Sequence, residues 1–210
     1  YSSPGLVALG QIIPALIAGN AIIWKPSERT PAFAEAVGAL AEKAKFPDGL
    51  IQIVQGRADV AKALVMADPV RAIFFSGSAH AGLSLHKQLG GRPDKTLAID
   101  IGGNNPVIAW DMADLHAGAI QIARSAFQSS GQKCTAARRL IVKDSMADVL
   151  VGEIKRIADR LIVGAPGDDP IPFMGPMIDN NTADGLAESF LALMSHGGRP
   201  VKHLIRPDLD

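Results

Sequence analysis

Apolar residues along the chain alternate between helical spacing and short extended runs. In "TPAFAEAVGALAEKAKF" (30–46) they recur at helical spacing behind Pro31, a residue favoured at the first helical position, so the pattern predicts a helix. "AIIWKP" (21–26) predicts a short strand, because its β-branched run ends at a proline that cannot continue a ladder. The predicted helices are 5–18, 30–46, 58–68 and 81–89, and the predicted strands are 21–26, 50–56, 70–79 and 96–103. This alternation predicts an α/β fold in which crossover helices connect a parallel sheet.

The spacing of the predicted elements changes after Asn104. Beyond this residue the sequence predicts strands 106–110 and 138–143, helices 111–127 and 146–161, and a loop rich in glycine and proline at 163–178. We therefore predict two domains. Residues 1–103 form a nucleotide-binding α/β unit, and residues 104–210 form the start of a second α/β unit.

Composition narrows the class of protein. Hydrophobic residues make up 48% of the chain, which is enough for a packed core, and 21 basic residues balance 21 acidic ones. Without a basic surplus, neither nucleic acid nor an anionic membrane is expected as a partner. The longest apolar stretch is interrupted by Pro14, Gly19 and Asn20, so no membrane span is expected.

Cys134 is the only cysteine. A single cysteine forms no internal disulfide, which indicates a reducing compartment, and we expect a cytoplasmic protein. The chain begins without methionine and without the pattern of a signal peptide, and it ends abruptly at "RPDLD". We expect it to be a segment of a longer protein.

"FFSGSAHAG" carries the first candidate site. An apolar strand runs into Gly77 and Ser78, and Gly82 follows as a helix begins. Amides at a helix N-terminus bind phosphate oxygens, and glycine permits close approach of a diphosphate. The spacing G-x-x-x-x-G matches neither the dinucleotide fingerprint nor a P-loop, so an ordinary strand-to-helix turn remains the alternative.

"WKPSE" is the second candidate site. Lys25 and Glu28 follow the end of a strand, where open parallel sheets bind ligands. Both side chains could bind ribose hydroxyls, and the carboxylate would repel a 2′-phosphate, which favours NAD over NADP. A solvated turn with an ordinary charge pair is the alternative.

Asp100 in "AIDIGGNN" is the third candidate. It stands in an apolar strand, where burial would raise the pKa of its carboxyl group toward the range of a general base. A carboxylate that only caps the following loop is the alternative.

Cys134 in "SSGQKCTAARRL" is the fourth candidate, with Lys133, Arg138 and Arg139 nearby to favour a thiolate. An inert buried thiol is the alternative. The five histidines lie in no motif that marks a base for the thiol, and none shares a metal-ligand spacing with it, so no metal site is expected.

Four segments in this order resemble the aldehyde dehydrogenase family: "PALIAGNAIIWKPSERTP", "FFSGSAHAG", "LAIDIGGNNPVIAW" and "SSGQKCTAARRLIV". The resemblance extends over essentially the whole chain. It implies a Rossmann-like cofactor domain followed by the first part of an α/β catalytic domain. "GSAHAG", "GQKCTAARRL" and "HGGRP" resemble the branch of the family that oxidises N-succinylglutamate 5-semialdehyde in bacterial arginine catabolism.

The resemblance also implies a role for each candidate residue. Cys134 would be the nucleophile that adds to an aldehyde, hydride would pass to NAD, and Asp100 would activate the water that hydrolyses the resulting thioester. The implied cofactor-binding set is Lys25, Glu28, Gly77, Ser78, Ala79, His80, Ala81 and Gly82. Relatives of this kind commonly form homo-oligomers, and we expect the same here.

Two residues depart from the family pattern. The family's base is a glutamate where this chain has Asp100, and its oxyanion-binding asparagine is replaced by Ser2. Loss of one oxyanion donor costs on the order of a hundredfold in rate. Two alternatives therefore stay open: an NAD-binding protein or scaffold with weakened turnover, and an enzyme that transfers the acyl group to coenzyme A.

Overall fold

The structure of the chain, a computed structural model, describes residues 1–204. It divides into two compact units, Tyr1–Gly102 and Gly103–Asp210, and the break lies next to the boundary expected from the sequence. Residues 205–210 of the expected second domain lie outside the described residues.

The first unit alternates helices and strands. Its elements are α1 (Leu6–Ile17), β1 (Ile22–Trp24), α2 (Pro31–Lys43), β2 (Ile51–Ile53), α3 (Ala58–Met66), β3 (Ala72–Gly77), α4 (Ala79–Leu89) and β4 (Thr96–Ile101). Strand β1 pairs with β2 and β3 pairs with β4, both in parallel, which confirms the predicted α/β class. The described ladders form two two-stranded sheets, whereas the sequence predicted one.

A buried lysine fixes the start of β4. Lys95 is only 8% exposed, and its ammonium group donates to the carbonyl oxygens of Ala67 at 2.7 Å and Val70 at 2.6 Å. These carbonyls belong to the turn that follows α3, and the Ala67 carbonyl also accepts from the amide of Val70 at 3.1 Å. Lys95 therefore ties the turn between α3 and β3 to the beginning of β4.

The second unit is built around one βαβ motif. Its elements are β5 (Asn105–Ala109), α5 (Leu115–Phe127), a short 3₁₀ turn (Gln128–Gly131), β6 (Ala137–Val142), α6 (Asp144–Ala158) and α7 (Asn180–Ser195). Strands β5 and β6 are parallel, and helices α5 and α6 pack together. Their shared core consists of Ala109, Ala119, Ile122 and Leu150.

Helix α7 was not predicted from the sequence. None of its residues is buried, although Ala183, Ala187, Phe190 and Met194 recur at helical spacing in its sequence. A local signal does exist, because the Asp179 side chain accepts from the backbone amide of Thr182 at 2.8 Å as an N-cap. No helix within residues 1–204 is long and apolar enough to cross a membrane.

Candidate cofactor-binding and thiol sites

The glycine turn joins the end of β3 directly to the start of α4. The Ser78 hydroxyl accepts from the amide of Ala81 at 3.2 Å, which makes Ser78 the N-cap of α4. The amides of Ala79 and His80 lie in the first helical turn, where no intrahelical acceptor exists, and both residues are exposed. This arrangement fits a phosphate group, which would receive hydrogen bonds from these amides and from the proton of the Ser78 hydroxyl.

Gly82 has a packing role. It is buried, and a Cβ atom at this position would lie 2.9 Å from Ile101 Cγ2 and 3.0 Å from Ile99 Cγ2. Helix α4 can therefore approach β4 this closely only because position 82 carries no side chain. The sequence predicts that this glycine lets a diphosphate approach, and the packing against β4 is an additional reason for a glycine here.

Lys25 is fixed at the ends of β1 and β2. Its ammonium group donates to the carbonyls of Pro26 at 2.7 Å and Gly56 at 2.8 Å, and it lies 4.0 Å from a carboxylate oxygen of Glu28. Two of its three protons are thus engaged, which leaves one for a ligand. The Glu28 side chain is 49% exposed, so its carboxylate is accessible to a ribose.

Asp100 lies beside the end of β3. In the parallel register, Ser76 pairs with Asp100 and Gly77 with Ile101, so both strands end at the same edge. Ile99 and Ile101 point toward α4, and because side chains alternate along a strand, Asp100 points to the opposite face. Asp100 is exposed. The apolar strand had predicted a buried carboxyl group, and that prediction is wrong. The apolar neighbours of Asp100 face the helix, and the carboxylate does not.

Ser2 lies in the segment ahead of α1 and is half-buried. Its neighbour Tyr1 packs its ring under the guanidinium group of Arg29, with 5.1 Å from the Arg29 Cζ atom to the ring centroid. In the first unit the structure thus brings Lys25 next to Glu28 and Asp100 next to the glycine turn. Cys134 belongs to the second unit.

The loop that carries Cys134 follows an unusual backbone turn. Ser129, Ser130 and Gly131 have φ values of 56°, 57° and 66°, so three successive residues are left-handed. For a residue other than glycine this conformation costs on the order of 1–3 kcal/mol, and it persists only when neighbouring contacts hold it. Cys134 itself is half-buried.

Asn105, the first residue of β5, contacts this loop. Its side-chain amide nitrogen donates to the carbonyl oxygens of Cys134 at 2.7 Å and Ala136 at 3.0 Å. Sequence reasoning missed Asn105, because its partners are backbone atoms that leave no residue signature. Next to this contact, the guanidinium group of Arg139 donates to the Asn104 carbonyl at 2.9 Å.

Metal ligands are not grouped in the part of the chain that the structure describes. Within residues 1–204, no three side chains among His, Cys, Asp and Glu are placed to hold a metal ion.

The fold and these sites define an α/β protein that combines a nucleotide-type turn with a thiol-bearing loop. A model of the aldehyde dehydrogenase family matches residues 1–202, and the chain belongs to that family. It is 50% identical over 206 residues to N-succinylglutamate 5-semialdehyde dehydrogenase of Novosphingobium aromaticivorans, covering 98% of this chain and 44% of the relative. The Escherichia coli protein of that name is 41% identical over 202 residues, covering 96% and 41%. The chain thus spans less than half the length of these curated relatives.

Solved structures show the same fold. The NAD-dependent aldehyde dehydrogenase of Sinorhizobium meliloti superposes with a TM-score of 0.88 at 28% identity, covering 93% of this chain and 39% of that one. The NADP-dependent glyceraldehyde-3-phosphate dehydrogenase of Bacillus halodurans gives 0.83 at 33% identity, covering 97% and 42%.

The packing role of Gly82 predicts the effect of adding one methyl group. Gly82→Ala forces α4 away from β4 and should lower the free energy of unfolding by about 1–3 kcal/mol. Gly10→Ala, inside α1, is the matched control, because a Cβ there meets nothing within 4 Å and alanine favours a helix by up to ~1 kcal/mol. Urea unfolding, monitored by circular dichroism, measures the free energy of unfolding of both variants. Equal stabilities of the two variants would contradict the packing role.

Proposed function

We propose that the protein is an NAD-dependent aldehyde dehydrogenase that oxidises N-succinylglutamate 5-semialdehyde to N-succinylglutamate. Membership of the family and the names of the two curated relatives support this reaction. The observation that carries the proposal is the half-buried Cys134 thiol on a loop held by side-chain hydrogen bonds. A thiol in this setting is available to a small carbonyl substrate and is held in place for it.

The proposed chemistry starts at the Cys134 sulfur. The thiolate adds to the aldehyde carbon to form a thiohemiacetal, whose oxygen carries the negative charge. Bound NAD supplies the hydride acceptor. Loss of hydride from the substrate carbon leaves a thioester on Cys134, and water activated by Asp100 attacks it, breaking the carbon–sulfur bond and releasing the acid.

Backbone amides and Ser2 are the proposed donors to the oxyanion. No described residue accepts a hydrogen bond from the backbone amide of Cys134, so this amide is available to the substrate oxygen. Ser2 carries a hydroxyl where the family has an asparagine amide, and we assign it the same role with a shorter reach. A weaker second donor is expected to slow the steps that build negative charge on oxygen.

A nicotinamide cofactor is supported by the family and by the NAD-dependent structural relative. The exposed first turn of α4 would hold its diphosphate, and Lys25 and Glu28 would bind the adenine ribose. We propose NAD rather than NADP because the Glu28 carboxylate repels a phosphate on the 2′-hydroxyl.

The nucleophile assignment predicts the result of a rapid-mixing experiment. Wild-type protein mixed with the semialdehyde and NAD should give a burst of NADH stoichiometric with active sites, because thioester formation precedes a slower hydrolysis that depends on the short Asp100 carboxylate. Cys134→Ala should give no burst, since no other thiol is present in the chain. The control is NADH binding by the variant, followed by fluorescence, which should be unchanged. A burst from Cys134→Ala would show that another residue is the nucleophile.

The cofactor assignment predicts a shift in preference toward NADP in Glu28→Gln. Removing the negative charge should raise the ratio of kcat/KM for NADP to that for NAD by about fivefold, the equivalent of the ~1 kcal/mol that one charge pair contributes at 4 Å in water. Glu35→Gln, an exposed carboxylate on α2, is the matched control and should leave the ratio unchanged. An unchanged ratio in Glu28→Gln would remove Glu28 from the ribose site.

The short, exposed Asp100 favours a second candidate, a protein of this family with weak hydrolysis. If so, Asp100→Glu combined with Ser2→Asn should raise the steady-state rate of acid formation by about tenfold or more. The longer side chains would bring the carboxylate and the oxyanion donor closer to the substrate. The NADH burst amplitude should stay the same. No gain would indicate an enzyme adapted to aspartate and serine, and a rate that rises with added coenzyme A would indicate acyl transfer.

A further inference from the structure

Polar contacts hold the loop around Cys134 from two sides. On the side before the cysteine, the Ser130 hydroxyl donates to the carbonyl oxygen of Gly175, and the amide of Ile178 donates to the side-chain oxygen of Gln132 at 3.1 Å. These contacts anchor the left-handed turn to the segment 175–178. They end two residues before the thiol, so they do not fix the backbone of Cys134 itself.

Asn105 provides the contact on the other side. Its carboxamide stands at the start of β5, where the pairing with β6 shifts register: Asn105 pairs with Ala137, and Pro106 pairs with Arg139. Arg138 is therefore the extra residue of a bulge. The carbonyls of Cys134 and Ala136 lie ahead of β6, which begins at Ala137, and the Asn105 side chain donates to both of them.

These contacts determine where the amides beside the thiol point. In a trans peptide the carbonyl and the following N–H point in opposite directions. With its carbonyl bound to Asn105, Cys134 directs the amide of Thr135 away from β5. The carbonyl of Lys133 accepts from the amide of Ala136 at 3.1 Å, which sets the amide of Cys134 in the same way.

We infer that Asn105 is a positioning residue for Cys134, which acts by holding the cysteine carbonyl and thereby orienting the thiol and the free amides beside it. The expected effect on kcat rests on the proposed aldehyde dehydrogenase function. The expected effect on the alkylation rate of the Cys134 thiol does not rest on that function.

Two variants and one matched control test this role in the intact protein. Asn105→Ala removes the amide, and Asn105→Asp keeps its size but places oxygen atoms against two carbonyl oxygens. Asn104→Ala is the control, because that exposed side chain forms no hydrogen bond with a described residue. We expect kcat for the semialdehyde to fall about 10- to 100-fold in Asn105→Ala and further in Asn105→Asp, since misplacement by about 1 Å costs up to a hundredfold. KM for NAD should stay unchanged.

Alkylation of Cys134 gives a readout that needs no enzymatic activity. Iodoacetamide labelling is followed across the pH range by mass spectrometry of the tryptic peptide Cys134–Arg138. The rate should rise at least about threefold in Asn105→Ala, because the freed loop opens locally and exposes the half-buried thiol. Asn104→Ala should label at the wild-type rate, and melting curves establish that each variant is folded.

The outcomes separate the two proposals. If the wild type oxidises no aldehyde, the proposed function fails, and the alkylation rates still decide the role of Asn105. Asn105→Ala with wild-type kcat and wild-type alkylation would overturn the inference. So would a fall in kcat with unchanged alkylation, because Asn105 would then act elsewhere. If Asn105→Asp does not fold, Asn105→Ala decides alone.

Discussion

The parallel register of β3 with β4 determines the geometry of the first unit's candidate site. Because Gly77 pairs with Ile101, the turn into α4 and the Asp100 carboxylate come from the same edge of one sheet. Helix α4 reaches that edge only because Gly82 lets it lie against β4. The position of the phosphate-type turn therefore depends on an apolar contact behind the turn, and only secondarily on the polar groups that would meet a ligand.

The second unit differs in how its site is positioned. Its candidate nucleophile, Cys134, lies on a loop between the 3₁₀ turn and β6, outside the hydrogen-bonded strands. Left-handed serines are unfavourable on their own, and here the hydrogen bonds of the Ser130 hydroxyl with Gly175 and of the Gln132 side chain with Ile178 hold the turn. Ser130 and Asn105 each direct a donor at backbone oxygen rather than at another side chain. Packing positions the first site, whereas hydrogen bonds position the second.

Local patterns predicted most helices and strands, because Pro31, the β-branched runs and the helical spacing are short-range signals. Helix α7 was missed although Ala183, Ala187, Phe190 and Met194 recur at helical spacing and Asp179 is an N-cap, so here the local signals were present and not used. Asn105 was missed because it binds a carbonyl 29 residues away, and any residue type offers that carbonyl. The packing role of Gly82 was missed for a related reason, since a glycine at a strand-to-helix turn suits a phosphate and a close helix equally well.

The departure at Asp100 concerns only one stage of the proposed reaction. In the proposed reaction, addition of the Cys134 thiolate and loss of hydride need no general base to activate water, so a short, exposed carboxylate would not impair this first half. Hydrolysis of the thioester would need that base, and its rate would fall when the carboxylate is withdrawn by one methylene. A weakened dehydrogenase and an acyl-transferring one therefore share the same first half. They differ only in whether water or another nucleophile takes the acyl group from Cys134, so the fate of the thioester, and not its formation, separates the candidate activities.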